Sequence, residues 1–205
     1  MAVDIVYETH AVTTDNEAGR ATGWLPGRLS GYGRQCAREL GERRRADALN
    51  AIFCSDLLRA VETVEIAFPR PPVPLHRDSR LRECDYGEFN GRPVAEVAPL
   101  RARHIDEPFP GGQSYRQVVE QTRGFLRDLV AAWDGARVLV VAHSANRWAL
   151  DHLLHGERLE DLVVAPFDWR PGWSYHLPEG WAGRHPIRAS EVGPANRGSA
   201  KRAGR

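Results

Sequence analysis

The 205-residue sequence predicts a three-layer α/β/α sandwich, with a mostly parallel central sheet and an antiparallel edge. Three observations predict it. Short apolar runs rich in Val and Ile read as buried strands. Segments with helical spacing alternate with them. Polar residues follow the strands directly, and an open α/β sheet binds ligands beyond the carboxyl ends of its strands.

The first strand is Val3-Asp4-Ile5-Val6-Tyr7, which ends in Glu8-Thr9-His10. A polar loop runs from Ala11 to about Leu29, and its Gly23-Trp24-Leu25-Pro26-Gly27 stretch is turn material. A helix from about Ser30 to Arg45 places Tyr32, Cys36, Ala37 and Leu40 on one face. Ala51-Ile52-Phe53-Cys54 is the second strand. Ser55 or Asp56 then caps a helix through about Phe68, with Leu57, Ala60, Val61, Val64 and Ala67 at helical spacing. Pro71 and Pro72 break the chain before a short strand near Val73 to His76. A long polar connection spans Asp78 to Gly112. The capping box Ser114-Tyr115-Arg116-Gln117 opens a helix to Asp134. Its core side carries Tyr115, Val118, Val119, Phe125, Leu126, Leu129, Val130 and Trp133. Gly135 closes that helix. The strand Val138-Leu139-Val140-Val141-Ala142 ends in His143, and a helix from about Ala145 to Leu154 follows. Trp173-Ser174-Tyr175 fits an edge strand. Residues 1–190 form one expected domain, and the basic tail 191–205, without apolar periodicity, is expected to be disordered.

Composition narrows the function classes. Hydrophobic residues make up 42% and charged residues 27%, ordinary values for a globular chain. A formal net charge of +1 calls for neither nucleic acid nor an anionic membrane as partner. Lys201 is the single lysine among 28 basic residues, which reads as base composition of the coding sequence. Cys36, Cys54 and Cys84 are odd in number and widely spaced. They fit neither a disulfide framework nor a zinc motif, and read as thiols in a reducing cytosol. The N-terminus shows no signal-peptide pattern, and no apolar run reaches the ~18 residues that span a bilayer. The expected location is cytoplasmic, and a homodimer is compatible with the sequence.

The chemistry centres on His10 and His143. Each follows a buried strand, so both imidazoles can face one crevice although 133 residues separate them. Taken singly, each is as ordinary as any hydrogen-bonded structural histidine. Ser55-Asp56-Leu57-Leu58-Arg59 is a strand-to-helix junction. Arg59 in the first turn can point back over the strand ends and grip phosphate bidentately. Leu81 to Gly91 is an acidic, glycine-punctuated loop in which Glu83 is a candidate proton donor. His152 and His155 form an i, i+3 pair that invites a metal reading. The sequence offers them no third ligand, so no metal or other cofactor is expected. The Trp169-to-Trp173 segment fits either a substrate mouth or packing on a sheet edge.

In this order the pieces resemble the histidine phosphatase superfamily, the phosphoglycerate mutase-like fold, from about Val3 to Gly156. The blocks are Thr9-His10-Ala11 with Thr13 and Asn16, then Gly23-Trp24 with Leu29-Ser30. They continue with Ser55 to Ala60 plus Thr63, Glu83 with Gly87 and Gly91, Pro110 to Ser114, and Ala142-His143-Ser144-Ala145. The resemblance implies a two-step phosphoryl transfer on a small phosphorylated substrate. His10 would become phosphohistidine and Glu83 would serve as acid, then base. Arg59, His143, Asn16, Thr13, Ser144 and backbone N–H groups would hold phosphate oxygens. The chain departs from the family where the first-block arginine is Thr9, a hydroxyl without charge. Ala11 and Ser144-Ala145 stand where glycines are usual. Arg147, Arg20, Arg28 and Arg82 are the arginines in range to restore the charge. Three readings follow: a phosphomonoesterase, a non-phosphatase enzyme using the His/Glu groups for acid–base chemistry, and a catalytically silent binding protein. The short chain and the modest Cys84-to-Gly112 region favour hydrolysis over mutase action.

Overall fold

A computed structural model describes residues 1–183. The expected domain end at 190 and the tail 191–205 lie outside the described residues. The strands are β1 (Val3–Thr9), β2 (Ala51–Cys54), β3 (Leu75–Arg77), β4 (Arg137–Ala142) and β5 (Trp173–Leu177). The helices are α1 (Thr14–Glu17), α2 (Gly31–Arg44), α3 (Leu58–Ala67), α4 (Val94–Val97), α5 (Tyr115–Ala132), α6 (Ser144–Leu150) and α7 (Leu159–Val164).

The sheet order is β3-β2-β4-β1-β5. Its first four strands are parallel, and β5 closes the edge antiparallel to β1. The three central strands, β1, β2 and β4, are buried on both faces, so their side chains sort by the two-residue period into two cores. Val3, Ile5, Tyr7, Ala51, Phe53, Val138, Val140 and Ala142 face the layer built by α5, α6 and α7. Val6, Ile52, Cys54, Leu139 and Val141 face Leu40 of α2 and Val64 of α3. This is the three-layer sandwich the sequence predicts.

Four local features differ from the sequence reading. Asp56 does not cap α3. The cap position is Leu57, Ser55 Oγ accepts from the Leu57 N–H (3.2 Å), and the planar fork of Arg82 claims Asp56 at 2.6 and 2.7 Å. On α2, Tyr32 is exposed, while Gly33, Ala37, Leu40 and Gly41 are buried. The glycines let the helix backbone lie against Val12 and Ala67, where a Cβ would collide. The helix after β4 keeps α-geometry only to Leu150 and finishes in a wider π-turn, Asp151–His155, that ends at Gly156 with positive φ. The Asp78–Gly112 connection is not surface loop alone. Leu81, Tyr86, Val97, Ile105 and Phe109 bury themselves in the α5–α6 core, each stabilising by roughly 1.5–3 kcal/mol on an area scale.

Other expectations hold. Ser30 caps α2, Ser114 and Gln117 form the capping box of α5, and the three cysteines are free. Cys54 and Cys84 are buried, and burial pushes the Cys54 thiol up to about 11. No helix among the described residues is long and apolar enough to cross a membrane.

Candidate active site

Strand register builds the centre of the site. Thr9 of β1 lies opposite Ala142 of β4, and the ladder continues one step further with His10 N–H donating to the Ala142 carbonyl (2.9 Å). The next residue of each strand is therefore His10 or His143, side by side at the sheet's carboxyl end. Their ring centroids are 5.0 Å apart. On the other flank of β4, β2 ends at Cys54 and is followed by Ser55, whose N–H bonds the Val141 carbonyl (3.1 Å), and α3 begins three residues after Ser55. Three adjacent strand ends thus deliver His10, His143 and Arg59 to one place.

Hydrogen bonds define the state of His10. Its Nδ1 is 2.8 Å from the Ala11 carbonyl, which can only accept, so Nδ1 carries the proton. Nε2 is then unprotonated, and its lone pair accepts from Arg59 Nε at 3.2 Å. Burial and then the Arg59 charge lower the imidazole pKa to about 3. His10 is consequently neutral, with Nε2 unprotonated, throughout the neutral pH range. The loop carrying it is pinned to α3: Ala11 N–H donates to Thr63 Oγ1 (3.0 Å), and Thr63 Oγ1 donates to the Arg59 carbonyl (2.7 Å).

Arg59 is buried, yet no carboxylate among the described residues lies within ion-pair distance of it. Besides His10, its guanidinium donates to the carbonyls of Gly23 (2.8 Å) and Leu25 (3.3 Å). Gly23 has positive φ and packs against Asn90 and Tyr86, so only glycine brings this carbonyl so close. A buried cation without a counter-charge is costly, and an anionic ligand relieves that cost. His143 is fully buried with neither ring nitrogen partnered. Burial, Arg59 and His10 hold its pKa well below the usual imidazole range. Tyr7 Oη donates to the His143 carbonyl (2.6 Å) and fixes the start of α6.

Glu83 is buried beside this group. Its carboxylate accepts from the Cys84 N–H (2.9 Å). Burial raises its pKa above the usual carboxylate range. Cys84, Arg59, Arg101 and the Ala145 N–H pull the other way without cancelling the rise. The Glu83 carbonyl takes the Trp24 indole N–H at 2.6 Å, and the Arg82 guanidinium lies 4.7 Å from the Trp24 ring centroid.

The remaining sequence candidates separate. Thr9 is buried at the end of β1, and Ser144 is half-buried as the first residue of α6. Thr13 and Asn16 spend their oxygens on each other's backbone in the capping box of α1, at 3.0 Å both ways, leaving the Asn16 amide NH₂ to solvent. The four arginines proposed to replace the family's first-block charge are all engaged elsewhere. Arg147 pairs with Asp151 (2.9 Å) and lies over Trp173, Arg28 pairs with Glu62 (3.5 Å), Arg82 pairs with Asp56, and Arg20 bonds the Gly91 carbonyl (3.0 Å). Arg101, which the sequence reading passed over, lies with its guanidinium 5.4 Å from the Trp148 ring centroid, and its charge acts on Glu83. Its one signal is helical spacing from Val97, four residues earlier and fully buried.

Trp173 is buried against Tyr7 at the sheet edge, so this half of the tryptophan segment is edge packing; Trp169 is exposed. His155 does have carboxylate neighbours. Asp151, His155 and Glu157 bring three ligand atoms within 4.8 Å of one another, but Asp151 is already bonded by Arg147 and by Tyr175 Oη (2.8 Å).

The class of protein is thus a mostly parallel α/β sandwich with paired imidazoles and a buried guanidinium at adjacent strand ends. The sequence profile of the histidine phosphatase superfamily (branch 1) matches residues 9–167, and the chain belongs to that superfamily. It is 30% identical over 188 residues to a probable phosphoglycerate mutase, GpmB, of Salmonella choleraesuis, covering 84% of this chain and 86% of that one. Among solved structures, YhfR of Bacillus stearothermophilus superposes with a TM-score of 0.75 at 26% identity, over 89% of this chain and 98% of that one. A mycobacterial glucosyl-3-phosphoglycerate phosphatase superposes with a TM-score of 0.69 at 28% identity, over 80% of this chain and 84% of that one.

Proposed function

We propose that the protein is a phosphomonoesterase that hydrolyses a small phosphorylated metabolite through a phosphohistidine at His10. The observation that carries this reading is the His10 hydrogen-bond pattern, with Nδ1 tied to the Ala11 carbonyl and an unprotonated Nε2 that, among the described residues, only the Arg59 guanidinium contacts, a bond an incoming phosphoryl group would take over. In the first step the Nε2 lone pair attacks phosphorus, the P–O ester bond breaks, and Glu83 gives its proton to the departing alkoxide. The phosphorylated ring keeps its Nδ1 proton and is cationic, next to the dianionic phosphoryl group. In the second step water attacks phosphorus, Glu83 takes its proton, and the P–N bond breaks to return His10 neutral. Arg59 brings a charge and His143 a ring N–H to the non-bridging oxygens, and such positioned donors supply most of the catalysis in phosphoryl transfer.

Two features favour hydrolysis over mutase action. The mycobacterial relative is named a phosphatase, and the 78–112 connection is short and anchored in the core by Val97, Ile105 and Phe109. The domain is expected to extend to residue 190, and its substrate to reach it in the cytoplasm. The test is a panel of phosphate monoesters incubated with the full chain and a chelator. Inorganic phosphate released from at least one ester is the expected result. An isomeric ester in place of inorganic phosphate assigns a mutase, and no reaction with any ester overturns the reading.

A further inference from the structure

Two side chains that the reaction does not use hold the main chain on either side of the proposed acid. The Trp24 indole N–H donates to the Glu83 carbonyl (2.6 Å), and the Asn146 amide donates to the Arg82 carbonyl (3.2 Å). A carbonyl only accepts, so the NH₂ group of Asn146 faces Arg82, and its Oδ1 is left buried without a partner. An orphaned buried oxygen is costly, and an apolar side chain of the same shape would avoid that cost. The amide at position 146 is therefore explained by what its NH₂ group holds.

Each donor sits on a segment that also builds the phosphoryl pocket. Asn146 is in the first turn of α6, three residues after His143. Trp24 lies between Gly23 and Leu25, whose carbonyls accept from the Arg59 guanidinium at 2.8 and 3.3 Å. Arg59 in turn meets His10 Nε2. Three of its five N–H groups are used in this way, which leaves two for a phosphate. The Trp24 ring is fixed as well, because the Arg82 guanidinium lies 4.7 Å from its centroid and is gripped by both oxygens of Asp56. The Glu83 carboxylate is tied to the adjoining Cys84 N–H (2.9 Å), so it moves with the main chain that Trp24 and Asn146 hold.

We propose that Trp24 and Asn146 are positioning residues that lock the Glu83 main chain to the phosphoryl pocket, so that two hydrogen bonds set the reach of the acid to the leaving oxygen. An anion that engages Arg59 then acts on the acid through the Gly23 and Leu25 carbonyls and Trp24. The inference rests on the hydrolytic reading above, and one of its two readouts needs no turnover. A misplacement of about 1 Å costs up to ~10²-fold in a reaction that depends on positioning.

The test uses Trp24→Phe and Asn146→Leu, made singly in the full chain with thermal unfolding checked. Each keeps an apolar body of similar shape and removes the donor. For an alkyl phosphate, kcat/KM is expected to fall roughly tenfold to a hundredfold in each variant. For nitrophenyl phosphate, whose leaving group needs no proton, the fall should be less than about threefold. The second readout is the Trp24 indole N–H signal in proton–nitrogen NMR spectra, identified by its loss in Trp24→Phe. It is expected to shift when inorganic phosphate is added, and to shift as pH carries Glu83 through its ionisation. The pH-dependent shift should be absent from Glu83→Gln. Equal losses for both esters, or no loss for either, overturn the proposal. So does an indole signal that ignores either phosphate or the ionisation of Glu83. A signal that follows both, in a protein that hydrolyses no ester, supports the positioning role and removes the hydrolytic reading. A silent signal in a protein that hydrolyses no ester removes both.

Discussion

His10→Ala is expected to abolish ester hydrolysis, with a loss on the order of 10⁴-fold or more in kcat/KM. His10 is the imidazole that Arg59 contacts and whose tautomer is fixed by a backbone carbonyl. His143 is neutral too, but it is fully buried with neither ring nitrogen partnered, and in the proposed reaction its ring N–H would donate to a phosphate oxygen. The fold should survive the substitution, because the His10 side chain bonds only its neighbour's carbonyl and Arg59. Steady-state hydrolysis of nitrophenyl phosphate, with a thermal melt as control, checks this. A loss of less than about tenfold would show that His10 is not the nucleophile.

Glu83→Gln is expected to act through the leaving group. For an alkyl phosphate, whose alkoxide needs a proton, kcat/KM should fall by roughly 10²–10⁴. For nitrophenyl phosphate, whose leaving group needs none, the fall should be less than about tenfold. The pH dependence follows from the direction of the Glu83 shift. Burial raises its pKa, so the protonated acid persists above the ordinary carboxylate range. The ratio of alkyl to nitrophenyl kcat/KM should be flat at low pH and decline as pH rises through that raised value. In Glu83→Gln the decline should be absent. Equal loss for both esters would assign Glu83 a structural role.

What could be read from sequence, and what could not, follows from the range of the interactions involved. β1 and β4 were legible because both faces are buried, which leaves unbroken runs such as Val138 to Ala142. His10 and His143 could be paired because both follow such strands, although their adjacency depends on the Thr9–Ala142 register. Arg59 was legible from a junction that is local in sequence. Two of the misreadings share one cause: a distant partner claimed the side chain. Asp56 looks like a helix cap until Arg82 takes it. Arg147 looks free to reach phosphate until Trp173 of β5 and Asp151 hold it at the sheet edge. Arg101 went unseen because residues 78–112 have no sustained period. They fold by seating Val97, Ile105 and Phe109 in a core made by other segments. Thr9 remains the clearest departure from the family pattern, and it leaves Arg59 as the guanidinium in contact with His10.

The covalent intermediate on His10 is the central claim, and Glu83→Gln makes it directly observable. With nitrophenyl phosphate this variant should complete the first step and stall before the second, for want of a base to activate water. Quenching in base, where a phosphoramidate survives, and mapping the phosphate by mass spectrometry should find close to one phosphate per chain on His10, matched by a burst of nitrophenol. Phosphate on any other residue, or a nitrophenol burst that leaves no phosphate on His10, would contradict the account.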